Sequence, residues 1–233
     1  MATAYTDSLC DFFSKKILML LILSTVVFQL IICQAFAKSD LDKLTSVLNH
    51  YRNSAMVSID FRQVIVEDLT GKRNETFGEL SVAKGLLRLQ TNKPDKSLLV
   101  LDGTYLWNEQ AKASDFSGPT QVTKAKLNKQ GKSQLFFRNV LTGEPLSKSF
   151  KLSTVLQDKD SIVFRGDSLD KSSPIKKINL KIDTKINQIS EMSYQDDIGN
   201  DTQLIFIKTK FLPEINKKTF IYKPPKGAQV TEI

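Results

Sequence analysis

The chain has 233 residues, a formal net charge of +8, 41% hydrophobic and 25% charged residues, a composition that excludes collagen-like, low-complexity and largely disordered classes. One histidine, His50, and two cysteines, Cys10 and Cys33, exclude a zinc site built from clustered His and Cys ligands, and with it any catalysis resting on two histidines. The length suits one large β domain or two small ones.

In chain order, Lys15-Lys16 comes first, then an apolar run from Ile17 to Ile32, then Ala35-Phe36-Ala37. These are the basic region, hydrophobic region and small-x-small cleavage site of a secretory signal peptide, with cleavage expected after Ala37. The same run would also serve as an uncleaved anchor, although it is short for a membrane span. A lipid-modified Cys33 is the weakest alternative, because the large, β-branched Ile32 precedes it. Cleavage divides the chain into a signal peptide, residues 1–37, and one exported domain, residues 38–233, which carries no cysteine and must be held by core burial alone.

Within the domain, Leu41, Leu44, Val47, Leu48 and Tyr51 fall at helical spacing, with Ser39 or Asp40 available as N-cap. The period then changes to two: Val57, Ile59 and Phe61 alternate with polar residues, as in a strand with one wet face. Phe77–Val82 and Leu86–Gln90 are further strands. Asp102-Gly103 between Leu98–Leu101 and Tyr105–Trp107 predicts a hairpin, since Asp-Gly tolerates positive φ. The polar, Lys-rich stretch Ala111–Gly131 reads as a long loop, and Ser133–Leu141 as a helix that Gly143 ends. Strands are expected at Phe150–Leu156, Ile162–Phe164, around Ile178, Leu180 and Ile182, at Ile189–Tyr194, Leu204–Ile207 and Phe220–Tyr222, with Pro224-Pro225 stopping the last. About ten strands at short intervals, with no linker to divide them, predict one antiparallel sheet closing on itself. Periodicity alone leaves open whether its inner face lines a cavity or packs as a core.

No chemistry-bearing constellation accompanies these elements. The carboxylate pairs Asp158/Asp160 and Asp196/Asp197 sit in expected turns, where Asp bonds the backbone, and no nucleophile elbow, phosphate loop or metal cluster stands beside them. The chain reads as a non-enzyme, without cofactor or metal. Its lysines, Lys124 to Lys132, Lys176 to Lys185 and Lys208 to Lys218, lack the interleaved aromatics of a nucleic-acid site and read as a solvated face, with attraction to anionic headgroups or acidic partners as the alternative reading.

Phe61-Arg62-Gln63, Gly78-Glu79-Leu80, Lys84 to Leu89 and Leu99-Val100-Leu101-Asp102-Gly103-Thr104-Tyr105-Leu106-Trp107, followed by Asn187-Gln188-Ile189, Gln195 to Thr202 and Phe220 to Val230, together resemble the LolA family of periplasmic outer-membrane lipoprotein carriers. The resemblance implies a mainly β fold with α (α+β), an incomplete antiparallel β-barrel (half-barrel) enclosing an apolar cavity under a helical lid. It further implies that acyl chains of lipoproteins enter at an inner-membrane ABC transporter and leave at an outer-membrane receptor, carried by a periplasmic monomer. On that basis Phe61, Leu80, Leu89, Val100, Trp107 and Met192 are candidates to line the cavity. Leu44, Leu48, Leu135, Phe136, Phe137 and Val140 are candidates for the lid, each with ordinary core packing as the competing reading. Lys84 stands where the family carries a basic residue bonding the lid, and a solvated turn lysine is the competing reading. Two other functions fit the same fold: an outer-membrane lipoprotein acceptor and a lipid-sensing regulatory protein.

Overall fold

A computed structural model of the chain describes residues 40–110, 118–126, 136–196 and 198–233. Two compact units divide the chain, Met1–Asp42 and Lys43–Ile233. Of the first, residues 40–42 are described, the opening turn of helix α1 (40–53), so the helix extends the predicted span at both ends.

The second unit is mainly β. Its strands are β1 (Met56–Val66), β2 (Arg73–Ala83), β3 (Leu86–Lys93), β4 (Ser97–Leu101), β5 (Tyr105–Glu109), β6 (Gln121–Lys126), β7 (Phe150–Gln157), β8 (Ser161–Ser168), β9 (Ile175–Asp183), β10 (Gln188–Asp196), β11 (Asp201–Leu212) and β12 (Gln229–Glu232), with helix α2 (Phe136–Thr142) between β6 and β7. They form one 12-stranded sheet in the order β12-β6-β5-β4-β3-β2-β1-β11-β10-β9-β8-β7. Neighbours are antiparallel except β12, which lies parallel to β6. Among the described residues the sheet does not close: β12 and β7 are its two edges, and the barrel is incomplete. No helix among the described residues is long and apolar enough to cross a membrane.

The turns show why the strands stop where they do. Asp102 Oδ1 accepts hydrogen bonds from the Thr104 and Tyr105 amides, both at 2.8 Å, and Gly103 takes φ +99°, which a side chain would resist. Asp196 closes the β10–β11 turn in the same way, accepting from the Ile198 and Asn200 amides. Helix α2 ends at Gly143, whose amide bonds Asn139 O and whose backbone approaches so closely that a Cβ would lie 2.4 Å from that oxygen.

Two expectations need correction. The span read as one long loop contains β6, a strand whose only aliphatic besides Ala125 is Val122, so no period is visible, and which pairing to β5 organises instead. Phe220–Tyr222 is not a strand. Lys217–Phe220 forms a 3₁₀ turn, in which Asn216 Oδ1 accepts from the Lys218 amide, and the sheet's last strand comes after the prolines as β12. The predicted helix over Ser133–Leu141 is seen from Phe136, its first three positions lying outside the described residues.

Candidate functional site: the helix-covered face of the sheet

Strand alternation and register decide which side chains share a face. On the inner face Val57 pairs with Val82, Ile59 with Leu80 and Leu80 with Leu89. On the other half of the sheet Met192 pairs with Leu204 and Leu180, and Leu180 with Phe164. Both helices cover this face. The Tyr51 ring of α1 meets Phe211, the cross-strand partner of Val57, at 4.9 Å between centroids. The Phe136 ring of α2 lies 5.1 Å from Tyr194 and 6.4 Å from Phe150. Leu44, Val47, Leu48 and Tyr51 form the buried stripe of α1, and Phe136, Val140 and Leu141 that of α2.

Of the candidate lining residues, the structure brings Phe61, Leu80, Leu89 and Met192 to this face; Phe61, Leu80 and Met192 are at most 1% exposed, and Leu89 is half-buried. Val100 and Trp107 are placed on the opposite face. Val100 pairs with Arg88 and with Trp107, one position out of step with the Leu80–Leu89–Leu99 row, and a one-residue offset reverses the side of the sheet. There the chain's C-terminal segment covers them. Phe220 packs with Met56 and Ala83, and the Tyr222 ring lies 5.4 Å from Trp107. Trp107 Nε1 donates to Asp102 Oδ2 at 2.8 Å, and Lys124 Nζ sits 4.2 Å over the Tyr105 ring. The Tyr222 hydroxyl donates to Glu109 Oε2, and burial together with that carboxylate holds its pKa above the ordinary phenol value. This face is a tied-down packing surface.

Among the lid candidates Leu44, Leu48, Phe136 and Val140 are buried against the inner face. Leu135 and the Phe137 side chain lie outside the described residues. Lys84 is exposed in the β2–β3 turn beside Gly85 at φ +79°, and among the described residues it joins no hydrogen bond or ion pair.

Two residues of α1 that carried no sequence signal beyond helical position make polar ties from the helix. The Tyr51 hydroxyl accepts from the Ile189 amide at 3.1 Å, and burial pushes this phenol up to about 12, against the lowering effect of the bonds to Ile189 and Thr209. Arg52 donates through one terminal nitrogen to Glu144 O, just past α2, and through the other to Asn49 Oδ1, both at 3.2 Å. Its Nε is buried without a partner, and burial lowers the guanidinium pKa. Arg52 thus links α1 to the segment after α2, with one donor left unsatisfied. Arg52→Gln is expected to raise amide exchange over residues 140–148 about tenfold, the scale of one hydrogen bond from a charged donor, with far-UV dichroism unchanged. Unaltered exchange there would show that the link holds nothing.

No group of three or more His, Cys, Asp or Glu among the described residues is placed to hold a metal ion. One surface depression of about 610 Å³ lies at Asp158–Ser161 beside Asp183, and another of about 400 Å³ between α1 and the Ile186–Gln188 turn. What the site offers chemically is a largely apolar surface under two helices.

The family described as Outer membrane lipoprotein carrier protein LolA matches residues 52–223 of this chain. An outer-membrane lipoprotein carrier protein of Chromobacterium violaceum is 28% identical over 182 residues, 76% of this chain and 81% of its own. Another, of Azotobacter vinelandii, is 24% identical over 218 residues, 93% of this chain and 99% of its own. Among solved structures, a LolA superfamily protein from Nitrosomonas europaea aligns with a TM-score of 0.39 at 10% identity, over 76% of this chain and 97% of that one.

Proposed function

Because the chain belongs to the LolA family of outer-membrane lipoprotein carriers, we propose that residues 38–233 form a periplasmic carrier, freed by cleavage after Ala37, whose inner face takes up the acyl chains of lipoproteins. It acts as a monomer and without covalent chemistry. It accepts cargo from an inner-membrane ABC transporter and delivers it to an outer-membrane receptor.

The observation that carries this reading is the apolar match between the inner face and the helix stripes above it. Each acyl methylene moved out of water gains about 0.8 kcal/mol, so ten of them outweigh several buried leucines. Acyl chains can therefore replace Leu44, Leu48, Phe136 and Val140 on the sheet at little net cost, one apolar contact exchanged for another. The helices must be able to lift for this exchange. They are held to the sheet and to each other by packing and by hydrogen bonds, those of Tyr51 and Arg52 among them.

The test is uptake. The protein lacking residues 1–37, mixed with membrane vesicles that hold a purified acylated lipoprotein, is expected to yield a soluble one-to-one complex when the ABC transporter is present and energised. The same lipoprotein stripped of its acyl chains should give none. Equal recovery with and without acyl chains would refute lipid capture by the inner face.

A further inference from the structure

The groove of about 400 Å³ beside α1 is lined by polar groups that the fold leaves unused. One wall is a face of the helix: Lys43, Ser46, Val47 and His50 recur at the three- and four-residue spacing that stacks side chains on one side. The other wall is the turn between β9 and β10, with Ile186, Asn187 and Gln188. Packing fixes the His50 ring, whose centroid lies 4.1 Å from that of Phe211. Among the described residues, the side chains of Lys43, Ser46, His50, Asn187 and Gln188 make no hydrogen bond or ion pair. The depression at Asp158–Ser161 is the contrast. There Asp158 accepts from the Asp160 and Ser161 amides, Asp183 accepts from the Lys185 and Ile186 amides, and Lys185 pairs with Asp160 at 2.9 Å. Its polar groups build the turns, whereas those of the groove are left to solvent.

These groups select an anion with several oxygens. Among the described residues no Asp or Glu lines the groove. Lys43 brings a full positive charge, Ser46, Asn187 and Gln188 bring further donors, and His50 offers one N–H even as the neutral ring. The surrounding charges are committed elsewhere or lie off the wall. On α1, Asp40 and Asp42 precede Lys43 without lining the groove, and Arg52 is bonded to Glu144 O. On the hairpin Lys185 is paired, Asp183 holds two amides, and Glu191 lies opposite Lys181 in the ladder. Around Phe211, which backs His50, stand Lys208 and Lys210 before it and Glu214 after it. The volume is more than a free phosphate fills and suits a small polar ligand, with Val47, 4% exposed, as an apolar floor and Ile186, 59% exposed, as a rim. We propose that this groove binds a phosphoester anion of the glycerophosphate type, a group that occurs both free and as a lipid head, and that the bound anion bridges α1 to the β9–β10 turn. The bridge follows from position. His50 and Gln188 are the chain neighbours of Tyr51 and Ile189, whose hydrogen bond at 3.1 Å already joins helix to strand. An anion bonded to both walls opposes their separation and so restrains the lifting of α1 that acyl uptake requires. That consequence rests on the carrier reading above; the site itself does not.

The protein lacking residues 1–37 is titrated with glycerol phosphate at fixed pH and salt while its backbone amide resonances are followed. Shifts concentrated at Ser46, His50, Asn187 and Gln188 are expected, with a Kd on the order of 1 mM, the range for an exposed site with one full charge. Lys43→Gln with His50→Gln should weaken binding about tenfold or more, Lys43→Arg should keep it, and Lys185→Gln, outside the groove, should change it less than about twofold. With ligand at about ten times its Kd, the Ile189 amide should exchange about tenfold more slowly, since a ligand held by both walls must leave before they part. Vesicles of phosphatidylcholine with phosphatidylglycerol form the second arm. Binding to them that depends on Lys43 and His50, without a response to glycerol phosphate, assigns the lipid head as the source, and the converse assigns the free ester. Shifts matched by plain glycerol, shifts untouched by the double glutamine variant, or no binding to either phosphate source would each overturn the site. Unchanged Ile189 exchange with whichever probe binds would overturn the bridge. Uptake of an acylated lipoprotein is followed in parallel. Phosphoester binding without uptake would remove the carrier reading and leave the site, and uptake without phosphoester binding would do the reverse.

Discussion

Phe61→Ala is expected to lower the unfolding free energy by about 3–5 kcal/mol, the range for removing a fully buried ring from a site that cannot collapse. Phe61 is 1% exposed and sits where the β1–β11 register shifts, between Asp60 and Phe61, so that it faces Phe206. Its other cross-strand partner is Gly78, whose missing side chain leaves room for the ring: a Cβ there would lie 2.9 Å from Phe61 Cζ and 2.1 Å from Gln90 O. Gly78→Ala should therefore cost about 1–3 kcal/mol by overpacking. The double variant separates the two obstacles. If the backbone oxygen of Gln90 dominates, removing the ring does not rescue the alanine, and the two losses add to within about 0.5 kcal/mol. Urea unfolding followed by tryptophan fluorescence measures all three. A Phe61→Ala loss below about 1 kcal/mol would mean that the ring borders space rather than packed neighbours, and acyl chains would then enter without displacing any side chain.

Most strands were legible because one of their faces is wet. Val57, Ile59 and Phe61 alternate with polar residues, as do Ile178, Leu180 and Ile182, and the structure buries these six on the inner face. Where alternation fails, so does the reading of faces. Leu98-Leu99-Val100-Leu101 is apolar throughout, so no alternation separates its two sides, and only the register with β3 tells Val100 from Leu99. The C-terminal segment itself was hidden for a related reason: Phe220 and Tyr222 look like alternate positions of a strand, while their partners, Met56, Ala83 and Trp107, are more than a hundred residues away in sequence. Strand β6 shows the opposite limit, since a polar strand has no hydrophobic period to display. The helix ties were illegible because they end on backbone groups. The Ile189 amide and the Glu144 carbonyl belong to the chain at large, and no choice of residue marks them in advance.

Tyr51→Phe is expected to show a loss that changes with pH. At neutral pH the variant leaves the Ile189 amide without its acceptor at a point where the β9–β10 register already shifts, between Ile189 and Glu191, and a buried amide so orphaned costs about 1–3 kcal/mol. Above pH 10 the comparison turns. Burial holds the Tyr51 phenol at about 12 in the folded chain against the ordinary 10, so between these values the unfolded chain gives up its proton while the folded chain keeps it. A group whose folded pKa is raised contributes its full stability below the unfolded value and loses it as pH rises through the folded one. Wild type should thus lose on the order of 2–3 kcal/mol over that window that the phenylalanine variant does not lose, and the gap between them closes toward pH 12. Every other titrating group is common to both proteins, so the difference between their unfolding curves isolates this hydroxyl. Parallel curves from pH 9 to pH 12 would show that Tyr51 is as open to water in the folded chain as in the unfolded one. Helix α1 would then be able to lift without breaking a buried bond from Tyr51 to the Ile189 amide.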